Sequence, residues 1–156
     1  MQVFFKVDEC CDLLSNLSLE PLLQFVAREL ALPAVAEVSV SFVSNDEIHR
    51  LNKIYRGFDK PTDVLSFECD NLPFEGENLD ELPEYELGDI VIAPRVAFDQ
   101  AQDYGTTFEE EISLLLVHGM LHLCGYDHIE DDEAEEMEAL ERELLGKWSV
   151  IRDEQQ

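Results

Sequence analysis

Three of the four histidines in this 156-residue chain fall within eleven residues, in the run HGMLHLCGYDH over residues 118–128. His118 and His122 stand four apart, so on a helix their imidazoles share a face on adjacent turns and can reach one metal ion. Gly125 follows His122 by three residues, where a glycine can adopt the left-handed conformation that ends a helix. The chain can then turn and bring His128 back to the same ion. Three neutral nitrogens leave the fourth position of a tetrahedral Zn²⁺ open, as in a catalytic rather than a structural site. The expected ligands are therefore His118, His122 and His128, and the expected cofactor is one zinc ion. Imidazole also suits nickel, copper and iron, and zinc is preferred on availability. Cys124 lies two residues past His122, about 200° round a helix from it, and is not expected to join the site.

The same histidine spacing occurs in the metzincin proteases, H-E-x-x-H-x-x-G-x-x-H. Their Glu is the general base of peptide hydrolysis. Here that position is Gly119, which has no group to take a proton. Peptide hydrolysis is thereby the weaker enzymatic reading.

Two upstream segments complete a pattern: LNKIYRGFDKPTDVLSF over residues 51–67 and LGDIVI over residues 87–92, followed by a helix with Ala97 and Ala101. With the histidine run, and in this order, they resemble the bacterial YbeY-type endoribonucleases, or rRNA maturation factors. The resemblance covers about residues 51–128; the first 40 residues and the tail match only in general pattern. It implies an α+β, zincin-like domain and a zinc-dependent hydrolase of single-stranded RNA. Its implied work is cytoplasmic rRNA maturation, including the 16S rRNA 3′ end, and ribosome quality control.

On that reading, zinc would lower the pKa of a bound water to roughly 7 and polarise a phosphoryl oxygen. Charge developing on the non-bridging oxygens also needs a cation. Arg56 is the candidate, because a guanidinium matches phosphate with two parallel hydrogen bonds and the resemblance gives the Arg of the Tyr-Arg pair a functional role. A plain alternative is an Arg favoured by a helix C-terminus. Arg56 and His118 are thus the expected catalytic residues. Asp127 has three open roles: holding a histidine ring, shaping the loop, or acting as base. Asp63 and Ser66 read as structural, Asp89 is undecided, and His49 reads as a solvated residue on a polar helix face. A third, non-enzymatic reading is a zinc-stabilised adaptor for the ribosome or a ribosome-associated GTPase, its acidic surface meeting basic ribosomal proteins.

The elements that must position these residues can be read from periodicity. Alternation marks strands at residues 3–7 and 37–43, with Val38, Val40 and Phe42 on one face; residues 64–67 read as a short strand and 88–93 as an apolar one. Helical spacing runs over 18–32 with Ser18 as N-cap. Further helices are expected at about 45–55 behind Ser44, and at 94–104 with Pro94 in the first turn. An apolar helix follows Thr106 or Thr107, and a last one spans 130–145 with Ile129, Met137, Leu140 and Leu144 inward. Residues 71–85, rich in acids with Pro73, Gly76 and Pro83, read as a loop or flap. The expectation is one domain over residues 1–156, a small mixed sheet with about five helices. The four cysteines form no C-x-x-C and read as free, mostly buried thiols in a reducing compartment.

The formal charge is −26, from 36 acids against ten Lys and Arg. A hydrophobic fraction of 46% supports a folded core despite that charge. No stretch reaches the roughly 18 apolar residues of a membrane span, and no secretory leader is expected, so the expected location is cytoplasmic. Such acidity argues against broad, tight binding of nucleic acid. The charge is uneven, however. Residues 68–89 hold nine acids and no base, and residues 130–143 hold nine acids and one base. Residues 50–60 carry Arg50, Lys53, Arg56 and Lys60 against Asp59 alone. That patch is either a solvated helix face or a small basic groove that leads RNA to the metal.

Overall fold

In the computed structural model, residues 1–69, 85–127 and 130–154 are described. The elements run β1 (Gln2–Val7), α1 (Cys11–Leu14), α2 (Leu19–Glu29), β2 (Ala36–Phe42), α3 (Asn45–Arg56), β3 (Val64–Glu68), β4 (Tyr85–Ile92), α4 (Pro94–Tyr104), α5 (Phe108–Leu123) and α6 (Asp131–Glu154). The sheet order is β1-β2-β4-β3, with β1 and β4 parallel to β2 and β3 antiparallel to β4. All four expected strands are present, in a mixed sheet. The described residues hold six helices rather than about five. The addition is α1, a single turn that no periodicity could reveal. The acid-rich loop expected at 71–85 falls almost wholly outside the described residues.

Alternation along β2 sends Ala36, Val38, Val40 and Phe42 to one buried face. There they join Leu22, Leu23 and Val26 of α2, Ile90 and Ile92 of β4, and Leu116 and Met120 of α5 in the main core. The opposite face is thinner. Val43, Ile48, Leu65, Val91 and Ala93 form a second cluster, with Ile48 bringing in α3. Helix α5 thus lies under one face of the sheet and α3 over the other. Edge strand β3 runs between them, which sets up the groove described below.

Local chemistry fixes the helix starts. The hydroxyl oxygen of Ser44 accepts from the Glu47 amide at 3.1 Å, and that of Thr107 accepts from the Glu110 amide at 3.0 Å. Each such cap contributes about 1 kcal/mol. Pro94 opens α4 as expected. Helix α6 runs nine residues past the expected end at 145, through Gly146. Its apolar stripe continues: Trp148 is buried and its ring meets Phe25 of α2 at 5.7 Å between centroids. Truncating a buried Trp costs about 3–5 kcal/mol, far more than the ~1 kcal/mol penalty of an internal Gly. Tertiary packing therefore carries the helix through.

The thiols correct one expectation. None of the four cysteines is in a disulfide, but Cys11 and Cys69 are exposed, while Cys10 and Cys124 are half-buried. No helix of the described residues is long and apolar enough to cross a membrane.

Candidate metal and phosphate groove

Helix α5 is apolar on nearly every side, so packing leaves it little freedom. Ile112, Leu115, Leu116, Val117, Met120, Leu121 and Leu123 are all buried. His118 and His122 occupy the remaining face, both half-buried. The helix ends as the Gly125 position suggests. Gly125 takes φ 94°, its amide donates to the His122 carbonyl at 3.0 Å, and the Tyr126 amide donates to the Leu121 carbonyl at 3.0 Å. This paired closure is the Schellman arrangement. It also brings the Tyr126 carbonyl back over the helix end, where it accepts from Nδ1 of His122 at 3.0 Å.

That bond fixes a tautomer. A carbonyl only accepts, so Nδ1 of His122 carries the hydrogen and the neutral ring keeps a lone pair on Nε2. On the neighbouring ring, Nδ1 of His118 lies 2.5 Å from Oε1 of Glu141. With Glu141 ionised, this nitrogen donates too, which leaves the Nε2 of His118 as a second lone pair. The two Nε2 atoms face each other at 3.0 Å. Two nitrogens so placed are a donor set that a metal ion could bridge. Two nitrogens on one tetrahedral zinc, at ~2.0–2.1 Å each, lie about 3.3 Å apart, so the observed spacing is close to what the ion needs. His128, the third expected ligand, lies outside the described residues.

Glu141 was not among the residues expected from sequence. It is 8% exposed, whereas the other acids of α6 are exposed. A signal existed: Glu141 stands four after Met137 and three before Leu144, in line with Trp148. It is an acid within the inward stripe. Asp127, expected as one possible ring holder, is exposed.

Arg56 stands across from the histidines. A groove of about 520 Å³ is lined by Tyr55 and Arg56 at the end of α3, by residues 62–68 along β3, and by His118 and His122. Gly57 closes α3 with φ 78°, turning the chain away directly after Arg56. The following loop is tied back: the Asn52 side-chain amide donates to the Lys60 carbonyl at 2.9 Å, and His49 meets Asp59 at 2.7 Å. His49 is therefore a tether rather than a merely solvated residue. The guanidinium of Arg56 lies 5.2 Å and the ammonium of Lys60 5.8 Å from the Phe58 ring centroid. Cation–π attraction holds both charges against the same ring, and Arg56 lines the groove. Arg50 instead pairs with Glu47 at 2.6 Å, and Lys53 faces Asp59 at 3.9 Å. So the basic patch divides, and of its four cations Arg56 is the one that lines the groove.

Asp63 is structural, as expected. Its carboxylate accepts from the Val64 amide at 2.8 Å and its carbonyl from the Ala93 amide at 3.0 Å, which locks the entry of β3. Ser66 lines the groove. Burial, with the charge of Glu68 beside it, pushes the Cys124 thiol up to about 11. Gly119 packs so closely on β4 that an added Cβ would lie 2.9 Å from Cγ2 of Ile90. A side chain here would force Ile90 to shift, and the glycine itself offers no group to act as a peptidase-type base.

Residues 12–149 match the family model described as endoribonuclease YbeY. Among the relatives, endoribonuclease YbeY of Bacillus subtilis (strain 168) is 46% identical over 137 residues, 85% of each chain. The enzyme of that name from Enterococcus faecalis is 45% identical over 141 residues, 86% of this chain and 88% of its own. That from Thermoanaerobacter sp. (strain X514) is 42% identical over 155 residues, 94% of this chain and 98% of its own. A solution structure from Thermotoga maritima matches with a TM-score of 0.56 at 33% identity, covering 99% of this chain and 95% of that one.

Proposed function

The chain belongs to the YbeY endoribonuclease family, and from that premise we propose that the groove between α3, β3 and α5 is the site where it hydrolyses RNA phosphodiester bonds with the help of zinc. The observation that carries this reading is the pair of Nε2 atoms 3.0 Å apart in the same groove as Arg56. His118 and His122 would hold the metal, with His128 as third ligand. Zinc in such a site supplies Lewis-acid activation of water and of a phosphoryl oxygen.

The chain's own residues do the rest. Glu141 and the Tyr126 carbonyl engage the two Nδ1 atoms, which would leave both Nε2 atoms available to hold the metal. Arg56 donates to the non-bridging oxygens of the phosphate and opposes the charge that grows there in the transition state. Phe58 and the tethered loop keep that guanidinium in place, and Lys60 adds a second positive charge nearby. The proposed architecture is zincin-like and the domain spans residues 1–156.

The substrate we propose is single-stranded rRNA in the cytoplasm, with maturation of the 16S rRNA 3′ end and ribosome quality control as the setting. Helix α6 begins with acids at 131–133 and continues with Glu135, Glu136 and Glu138, all but Glu141 facing away from the core. We assign this face to basic ribosomal proteins or a ribosome-associated GTPase, which would deliver an acidic nuclease to its RNA.

The test joins metal analysis to cleavage. Purified protein should carry about one zinc per chain and cut single-stranded RNA but not an unstructured peptide, and a chelator should stop the cutting. Cells depleted of the protein should accumulate 16S rRNA with immature 3′ ends. Correct ends in such cells would remove the rRNA assignment, and cleavage unaffected by chelation would remove the metal.

A further inference from the structure

Beside the phosphate subsite, the groove presents an aromatic surface that folding does not explain. Tyr55 closes α3 next to Arg56, lines the groove, and is 64% exposed. Aromatic side chains normally bury most of their area, and an open ring forgoes that stabilisation. Yet this ring is not loose. Phe67 of β3 meets it edge to face, at 5.2 Å between centroids and 67° between planes. Phe67 is itself packed against the cluster of Val43, Ile48, Leu65, Val91 and Ala93. Tyr55 is therefore braced from the core side and open on the groove side.

The neighbouring aromatic differs. The Phe58 ring lies within 6 Å of both the Arg56 and Lys60 cations, so its surroundings serve to hold positive charge. An open, braced ring beside a guanidinium and a histidine pair is the combination that single-stranded nucleic acid uses: a phosphate on the cation and its base on the ring.

We propose that Tyr55, braced by Phe67, is a stacking platform for an unpaired nucleobase next to the phosphate held at Arg56. The inference rests on the endoribonuclease reading and deepens it, because it supplies a physical source for single-strand preference. In a duplex each base is already stacked on both sides, so occupying Tyr55 would first require extruding it. Arg56 and zinc alone bind phosphate in either form of RNA.

The experiment uses the full, zinc-loaded chain and a mixed-sequence single-stranded RNA carrying 2-aminopurine at successive positions. Steady-state cleavage is measured alongside stopped-flow fluorescence. In the wild type, 2-aminopurine at one position is quenched on binding, before cleavage. Tyr55→Ala should abolish that quench and raise KM by about ten- to a hundredfold, the range that base–aromatic stacking supports, with zinc content and kcat little changed. Tyr55→Trp should restore both signals. Tyr55→Leu keeps an apolar contact with Phe67 but has no π-face, so it should behave like Tyr55→Ala. Rescue by Leu, or an unchanged KM and quench in Tyr55→Ala, would overturn the platform while leaving the nuclease reading intact. Absence of RNA cleavage by the wild type would instead overturn the nuclease reading itself.

Discussion

The histidine side of the groove and the Tyr55–Arg56 side are held in opposite ways. His118 and His122 grow from a helix buried on nearly all sides, and each Nδ1 has an internal partner, Glu141 or the Tyr126 carbonyl. Across the groove, Tyr55 and Phe58 are 64% and 48% exposed, held by one aromatic contact, two cation–π contacts and a tethered loop. On the proposed reading the histidine side holds a metal, and such a site must keep its nitrogens in place before the ion arrives, because ligand geometry sets affinity. A surface that receives a polymer must stay open to it. The two sides should therefore respond differently to mutation: one through metal retention, the other through turnover and substrate affinity with the metal still bound.

The largest effect should come from His122→Ala, which removes one of the two facing nitrogens. Zinc content and RNA cleavage should both fall to background, as read by metal analysis and a cleavage assay. Retention of both would end the metal reading. Next is Arg56→Ala, expected to lower cleavage by about 10²–10³-fold, the usual cost of losing a transition-state charge partner. Zinc content should stay at the wild-type level. Arg56→Lys should recover only part of the loss, because an ammonium cannot make the paired contact. Loss of zinc in Arg56→Ala would erase the distinction between the two sides.

Two glutamates of α6 sharpen the contrast. Glu141 is buried on His118, whereas Glu143 is exposed and pairs with Lys147 at 3.2 Å. Glu141→Gln should weaken zinc affinity by about 10–100-fold in chelator competition. Glu143→Gln should change neither zinc affinity nor stability beyond ~0.5 kcal/mol. Equal effects would show that acidity of the helix, not the contact, matters.

The smallest effect concerns Glu111, 6% exposed on α5, whose pKa is raised first by burial and then by the charge of Asp63. A carboxyl with a raised folded pKa binds its proton more tightly in the folded state. Its cost is absent below the unfolded pKa and builds as pH rises through the folded value. Glu111→Gln should therefore raise Tm at neutral pH and make no difference in acid, below the ordinary carboxylate range. A thermal melt series over pH checks the sign.

Much of this architecture was legible from local chemistry. The alternation of Val38, Val40 and Phe42, the caps Ser44 and Thr107, Pro94 and the helix-ending Gly125 all depend on residues within a few positions of one another. The shared face of His118 and His122 follows from helical geometry alone. What escaped depends on distant partners. Glu141 looked like one more solvated acid until α6 packed on α5, 23 residues away in sequence. The last helix was expected to end at residue 145 until Trp148 found Phe25. His49 looked solvated until the loop after Gly57 returned Asp59 to it.

The sequence by itself determined the donor chemistry: the imidazole pair, the missing side chain at Gly119, and the concentration of Arg and Lys near residue 56. Tertiary structure alone decided which of these groups act together. Only the sheet order places edge strand β3 between α3 and α5, so that Arg56 and the histidines line one groove. Only burial turns one acid among many into the partner of His118. Hydrophobic packing sets both outcomes, because it is non-directional in sequence and selects the arrangement that buries the most apolar area. A pattern within a few residues can mark Glu141 as inward, but it cannot name the partner that Glu141 meets.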